Sequence, residues 1–130
     1  MVIDTSAIIA ILLNEPSSDR LVAALEADPA PLVSAATVVE ASLVLLGRFG
    51  EAGDVHLDRF LRGIGARVAT VDEEQAGIAR DAALRFGRGR HPAGLNFGDC
   101  FSYALAVSAG EALLFTGSDF SQTDVAVCAW

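Results

Sequence analysis

The chain has 130 residues, 52% of them hydrophobic, and a formal net charge of −8. That length gives one domain, residues 1–130, able to bury a core without disulfide or metal staples. The acidic balance opposes a broad nucleic-acid-binding surface, and no uncharged apolar run is long enough to span a membrane.

Met1–Asp4 is expected as a short buried strand, after which Thr5 or Ser6 caps a helix bearing Ile8, Ile9, Leu12 and Leu13. Asn14-Glu15-Pro16 ends that helix, because the residue before a proline is pushed out of helical conformation. Ser17 or Ser18 starts a second helix with Leu21, Val22 and Leu25 facing inward, and Pro31–Ser34 follows as a second strand. Ala35–Phe49 is a strongly apolar helix stopped at Gly50. Gly53–Ile64 reads as another, with Val55, Leu57, Phe60, Leu61 and Ile64 on its apolar faces. Arg67–Val71 is a third strand. Asp72-Glu73-Glu74-Gln75 has the form of a capping box heading a helix to Phe86, whose inward stripe is Gln75, Ile78, Ala79, Ala82 and Phe86. Gly87–Leu95 is a loop, and Asn96 caps a helix with Asp99 in its first turn, near the positive end of the helix dipole. Ala112–Phe115 is the fourth strand, Thr116–Asp124 a polar connection, and Val125–Cys128 a short last strand.

Strands and helices alternate, which predicts an α/β fold with three layers, α/β/α, around a short central parallel sheet. Ligands in such folds bind at the carboxyl ends of the strands. Asp4 directly follows the first strand and Asp119 lies just beyond the fourth, so both belong at that edge.

Three acids stand alone in stretches with no other charge: Asp4 in residues 1–14, Glu40 in 29–47 and Asp99 in 92–110. A buried carboxylate is costly unless something compensates it. Singly, each has an ordinary structural role open to it. Asp4 suits a helix cap, Asp99 a capping arrangement with Asn96, and Asp119 a turn. Glu40 has only Ala36, Thr37, Leu43 and Val44 as neighbours on its own helix, so it finds no ion partner there. Taken together, converging carboxylates without bases call for a cation. Mg²⁺ or Mn²⁺ suits an all-oxygen shell and can activate a water against a phosphodiester. On this reading Asp4, Glu40 and Asp99 hold the metal, and Asp119 completes the shell or positions a second ion. Thr5, Ser6, Asn96, Thr116 and Ser118 support them from behind, and no side chain forms a covalent intermediate.

Other chemistries lack their residues. Cys100 and Cys128 make no metal or redox spacing and suit small hydrophobes in a reducing compartment, while His56 and His91 lie too far apart in sequence to suggest a zinc site. All nine basic residues are Arg, and the absence of Lys excludes a P-loop or a lysine-dependent phosphoacceptor site. Arg80, Arg85, Arg88 and Arg90 cluster just before His91, a local patch that can hold phosphates on an acidic protein. MVID has no basic leader and sets Asp4 inside the apolar stretch, so no signal peptide is expected and the protein reads as cytoplasmic. Such an apolar chain is also expected to cover part of its surface with a partner or a second copy.

A hydrophobic strand ending in Asp4-Thr5-Ser6, a lone Glu40 in the third helix, Gly98-Asp99-Cys100 opening a late helix, and Leu113-Leu114-Phe115-Thr116-Gly117-Ser118-Asp119-Phe120 follow one another in the order of a PIN domain. More narrowly the chain resembles VapC-type toxins of bacterial toxin–antitoxin pairs, most of all in GRGRHPAGLNFGDCFSYALA. The resemblance implies a Mg²⁺- or Mn²⁺-dependent endoribonuclease that cleaves structured RNA such as tRNA or rRNA. It further implies a homodimer neutralised by a small cognate antitoxin. It carries metal binding and catalysis onto Asp4, Glu40 and Asp99, with Asp119 or the nearby Asp124 as the fourth acid. It also places Arg85, Arg88, Arg90 and His91 near RNA or antitoxin. A non-catalytic RNA- or protein-binding module on the same scaffold is the alternative.

Overall fold

A computed structural model describes every residue from Met1 to Trp130. Four short parallel strands form the sheet: β1 (Val2–Ile3), β2 (Leu32–Ser34), β3 (Arg67–Ala69) and β4 (Leu113–Leu114). They lie in the order β3-β2-β1-β4, with Val2 opposite both Leu32 and Leu113. Six helices surround them: α1 (Thr5–Leu12), α2 (Ser18–Glu26), α3 (Ala35–Phe49), α4 (Glu51–Gly63), α5 (Glu73–Phe86) and α6 (Phe97–Ala109). None is long and apolar enough to cross a membrane.

Successive strand residues point to opposite faces, and this sorts the layers. Val2 and Leu113 pack with Ala79, Ala82 and Phe86 of α5 and with Tyr103 to Ala106 of α6. Ile3, Val33 and Leu114 pack on the other side with α1 to α4, through Ile8, Leu21, Leu45 and Leu57. Both faces of β1, β2 and β4 are therefore covered, while β3 at the edge leaves Arg67 and Val68 exposed. That covering is why two or three apolar residues per strand suffice to hold a parallel sheet.

The observed elements follow the expected order with shorter strands. α3 runs Ala35–Phe49 and ends at Gly50, which sits at φ +60, as the sequence suggests. α4 starts two residues earlier than expected, directly after Gly50, and Val55 is exposed rather than inward. The first helix is capped by Asp4, not by Thr5 or Ser6, and stops at Leu12 with Asn14 in the left-handed region at φ 53. At α5 the Asp72 side chain accepts from the Gln75 N–H, one half of the expected capping box. Val125–Cys128 is not a strand. It makes one parallel bridge, Leu113 to Val127, because the intervening segment folds into a turn of 3-10 helix at Phe120–Gln122 and leaves little chain to run alongside β4.

The strand order reverses beside β1: the chain steps from β1 outward through β2 and β3, then returns to β4 on the other side. Two crossovers diverge there and open a crevice beyond the carboxyl ends of β1 and β4.

Candidate metal centre

Asp4 stands at the head of that crevice. The residue after a strand and before a helix adopts extended backbone, and Asp4 does so at ψ 159 while capping α1. Its Oδ2 accepts from the Ser6 N–H at 2.8 Å and the Ser6 hydroxyl at 2.6 Å. The same Ser6 hydroxyl oxygen accepts from the Thr116 N–H at 3.1 Å, and the Asp4 N–H donates to the Leu114 carbonyl at 3.0 Å. Asp4 is thus tied to β4 by two routes. Its other oxygen, Oδ1, is fully buried and has no hydrogen-bond partner. An orphaned buried carboxylate oxygen is costly and calls for a ligand.

Glu40 reaches the same place from α3. Its carboxylate accepts a hydrogen bond from the Thr5 hydroxyl. A Cβ built on Gly98 would fall 2.1 Å from its Oε1, so only the bare backbone of glycine lets the carboxylate lie over the first turn of α6. Asp99 comes from that turn. It closes a full capping box: its Oδ2 accepts from the Asn96 N–H at 2.7 Å, and the Asn96 Oδ1 accepts from the Asp99 N–H at 3.0 Å.

Asp4, Glu40 and Asp99, with Thr5, Ser6, Asn96 and Thr116, line a single cavity of about 330 Å³ that has no basic side chain in its wall. Burial pushes the Asp99 carboxyl up to about 6. The Asn96 N–H pulls the other way, and the negative charges of Asp4, Glu40 and Asp119 reinforce the rise. The two helix amino ends, of α1 and α6, point their positive poles at the cavity and offset part of the repulsion. No three acidic groups are drawn into a preassembled ligand cluster; each keeps its own donor. The wall offers oxygen donors only, the set that hard divalent cations take, and the orphaned Asp4 Oδ1 is the atom that fits such an ion.

The remaining expected residues divide. Asp119 is exposed at the start of the 3-10 turn and outside the cavity wall, though close enough to act on the charge of Asp99. Asp124 is elsewhere engaged: the Tyr103 hydroxyl donates to it at 2.5 Å and Arg85 forms an ion pair with it. Those two bonds hold its carboxyl below the usual range. Burial, reinforced by the bond to Asp124 and opposed by the Arg85 charge, pushes the Tyr103 phenol up to about 12. Asp124 is therefore a neutralised structural acid. Arg85 also pairs with Asp81 and lies over the Phe86 ring, so it is not a free cation for RNA. His91 packs edge-on against Phe86 and accepts from the Ala93 N–H. Arg88 and Arg90 are exposed, and Arg88 lines a separate groove. Ser118 is exposed outside the cavity and offers its carbonyl to Ser121 and Gln122.

Further residues shape the site beyond those expected: Glu15 and Val44 in the cavity wall, and Gly98 against the Glu40 carboxylate. Glu15 enters the cavity from the end of α1, where it had registered only as part of a helix stop. Gly98 had registered only within the late-helix motif, and its signal was its smallness beside an acid. Val44 lines the cavity one turn after Glu40.

Residues 1–126 match the PIN domain family. The chain is 50% identical over 129 residues to the VapC ribonuclease Mb0640 of Mycobacterium bovis, covering 99% of this chain and 98% of that protein. It is 50% identical over 126 residues to ribonuclease VapC of Mycolicibacterium smegmatis, covering 97% and 98%. In structure it is similar to VapC20 of Mycobacterium tuberculosis, described as a sarcin-ricin loop cleaving toxin, with a TM-score of 0.78, 18% identity and 95% of each chain covered. At that identity the structural likeness speaks for the fold, and the two sequence relatives speak for the branch. With its acids gathered at the switch point of a parallel sheet, the chain belongs to the PIN-domain family, in the VapC-type branch.

Proposed function

We propose that the protein is a divalent-metal-dependent endoribonuclease, the toxin of a toxin–antitoxin pair, acting in the cytoplasm on structured RNA such as tRNA or rRNA. The observation that carries this reading is the buried, partnerless Asp4 Oδ1 in an acidic cavity without a base. Asp4, Glu40 and Asp99 would hold Mg²⁺ or Mn²⁺, with Asp119 approaching from the rim. When bound, such an ion supplies Lewis-acid stabilisation of a phosphoryl oxygen and makes a water a better nucleophile at neutral pH.

The chain's own residues do the positioning. Ser6 fixes the Asp4 carboxylate and couples it to β4 through the Thr116 N–H, so the first acid cannot drift from the sheet edge. Thr5 orients Glu40, and Asn96 orients Asp99, leaving one oxygen of each acid to face a ligand. The amino ends of α1 and α6 favour an anionic substrate arriving at the same mouth. Relatives named as ribonucleases, and one described as cleaving an RNA loop, support the substrate class. A small antitoxin and a second copy of the chain are the expected partners, suited to the apolar residues exposed along α3.

Asp4→Ala and Asp99→Ala should each lower cleavage of a structured RNA in Mn²⁺ by about a hundredfold or more while the circular dichroism spectrum is kept. Cleavage by both variants at the wild-type rate, without metal, would refute the mechanism. A non-catalytic binding module would instead show wild-type protein that binds RNA in Mn²⁺ and never cuts it.

A further inference from the structure

On the far side of Asn96 from the acids, α5 and α6 leave an open groove of about 540 Å³. Its floor is made of small residues, Ala76, Ala79 and Ala83, and its rim carries Arg80 and Arg88. Phe97, the first residue of α6, lines the groove with 81% of its surface exposed, and its ring is braced edge-on against Phe101 with centroids 4.9 Å apart. An aromatic ring that is both so exposed and so firmly supported is poised to take a planar partner.

The charges point to the class of that partner. Arg62 and Arg85 form ion pairs, while Arg80 and Arg88, like the other arginines, form none; what sets these two apart is that both line this groove. Two unpaired guanidinium groups beside a flat apolar floor and a free aromatic ring match a polyanion with planar bases. Asn96 belongs to the walls of both the groove and the acidic cavity, so the two sites adjoin.

We infer that this groove is a nucleobase subsite, holding the base of a nucleotide next to the scissile phosphate. The base stacks on Phe97 over the alanine floor, while Arg80 and Arg88 grip the flanking phosphates. The inference rests on the RNA-cleaving reading above and extends it, by giving the substrate single-stranded character beside the cut. A base can enter the groove only when it is unpaired.

Binding is measured by fluorescence anisotropy in Mg²⁺ on an Asp99→Asn background, which blocks cleavage. Two probes are compared, a fluorescein-labelled mixed-sequence RNA of about 12 nucleotides and an abasic strand of the same length. Phe97→Ala should weaken the mixed strand about tenfold and leave the abasic strand unchanged, with Phe97→Trp restoring affinity. Arg80→Ala combined with Arg88→Ala should weaken both strands and flatten the salt dependence by a slope of about 1.4, two phosphates' worth. The subsite is overturned if Phe97→Ala binds the mixed strand as the parent does, or loses both strands equally. A changed sedimentation mass in Phe97→Ala would overturn it too, since the groove would then be an interface between copies. A parent that binds neither strand would bring down the RNA reading itself, whereas a parent that binds while its variants match it brings down the subsite alone.

Discussion

Asp99 caps α6 through its Oδ2 and at the same time stands half-buried among Asp4, Glu40 and Asp119; burial raises its pKa, and those neighbouring charges reinforce the rise against the pull of the Asn96 N–H. With a folded value of about 6 against an ordinary value near ~4, Asp99 binds its proton more tightly in the folded chain. Its contribution to stability is therefore complete below about pH 4 and is lost as pH rises through about 6. Asp99→Asn keeps an oxygen for the Asn96 N–H and removes the charge. In metal-free buffer it should raise stability at pH 7.5 by on the order of 1–2 kcal/mol, a figure reduced for partial solvent screening, and by nothing at pH 4. Urea melts at the two pH values check this; an equal gain at both would mean that relieved charge is not the cause. The same residue shows how much of the site was visible in advance. A lone acid three positions after Asn96 announced the cap, but the burial that raises its pKa, and the charges of Asp4, Glu40 and Asp119 that reinforce the rise, come from the fold.

At the scale of elements, the site depends on how closely α3 approaches the amino end of α6. Gly98 sets that approach, because the Glu40 carboxylate occupies the space of a side chain there. Gly98→Ala should expel the flexible end of Glu40 rather than disturb the backbone, since the blocking atoms belong to a carboxylate. Cleavage should fall about tenfold or more with the unfolding midpoint nearly unchanged, because alanine is itself a good helix residue. Parallel activity and melting measurements separate this from misfolding, and full activity in the variant would show that Glu40 need not sit there. Contrast Gly53, where an added Cβ would meet the Leu45 carbonyl at 2.6 Å: there the neighbour is backbone and cannot move aside. Helix extents such as Ala35–Phe49 were legible because apolar spacing and a following glycine act locally. The last strand was not, since pairing beside β4 depends on how the 3-10 turn spends the intervening residues.

For the whole molecule, two surfaces respond to salt in opposite directions. Val39, Leu43 and Leu46 form an exposed apolar stripe on α3, with Phe49 beside it and Val55 exposed on α4. Two copies of a chain charged −8 repel one another at low ionic strength, and screening removes that repulsion. Self-association through the stripe should therefore strengthen with salt, while RNA binding weakens as counterion release loses its advantage. Sedimentation at 50 and 300 mM salt should show the mass rising toward that of two copies, and Leu43→Asp should hold it at one. A dimer that dissolves with salt, or that survives Leu43→Asp, would locate the contact elsewhere.

By itself the sequence determined the alternation of strands and helices, the caps at Asn96 and Gly50, and the identity of the isolated acids, because these depend on neighbours within a turn or two of the chain. It also located the arginine-rich segment, but not which of its cations are free. Only the tertiary structure decided that Asp124 and Arg85 neutralise each other, that Glu15 belongs to the acidic cavity and Gly98 makes room for Glu40, and that Arg80 and Arg88 line an apolar groove without an ion pair. The reason is geometric. A charge is defined chemically by its residue, but its energy is set by what the fold brings within a few ångströms, and those neighbours come from parts of the chain that local pattern does not connect.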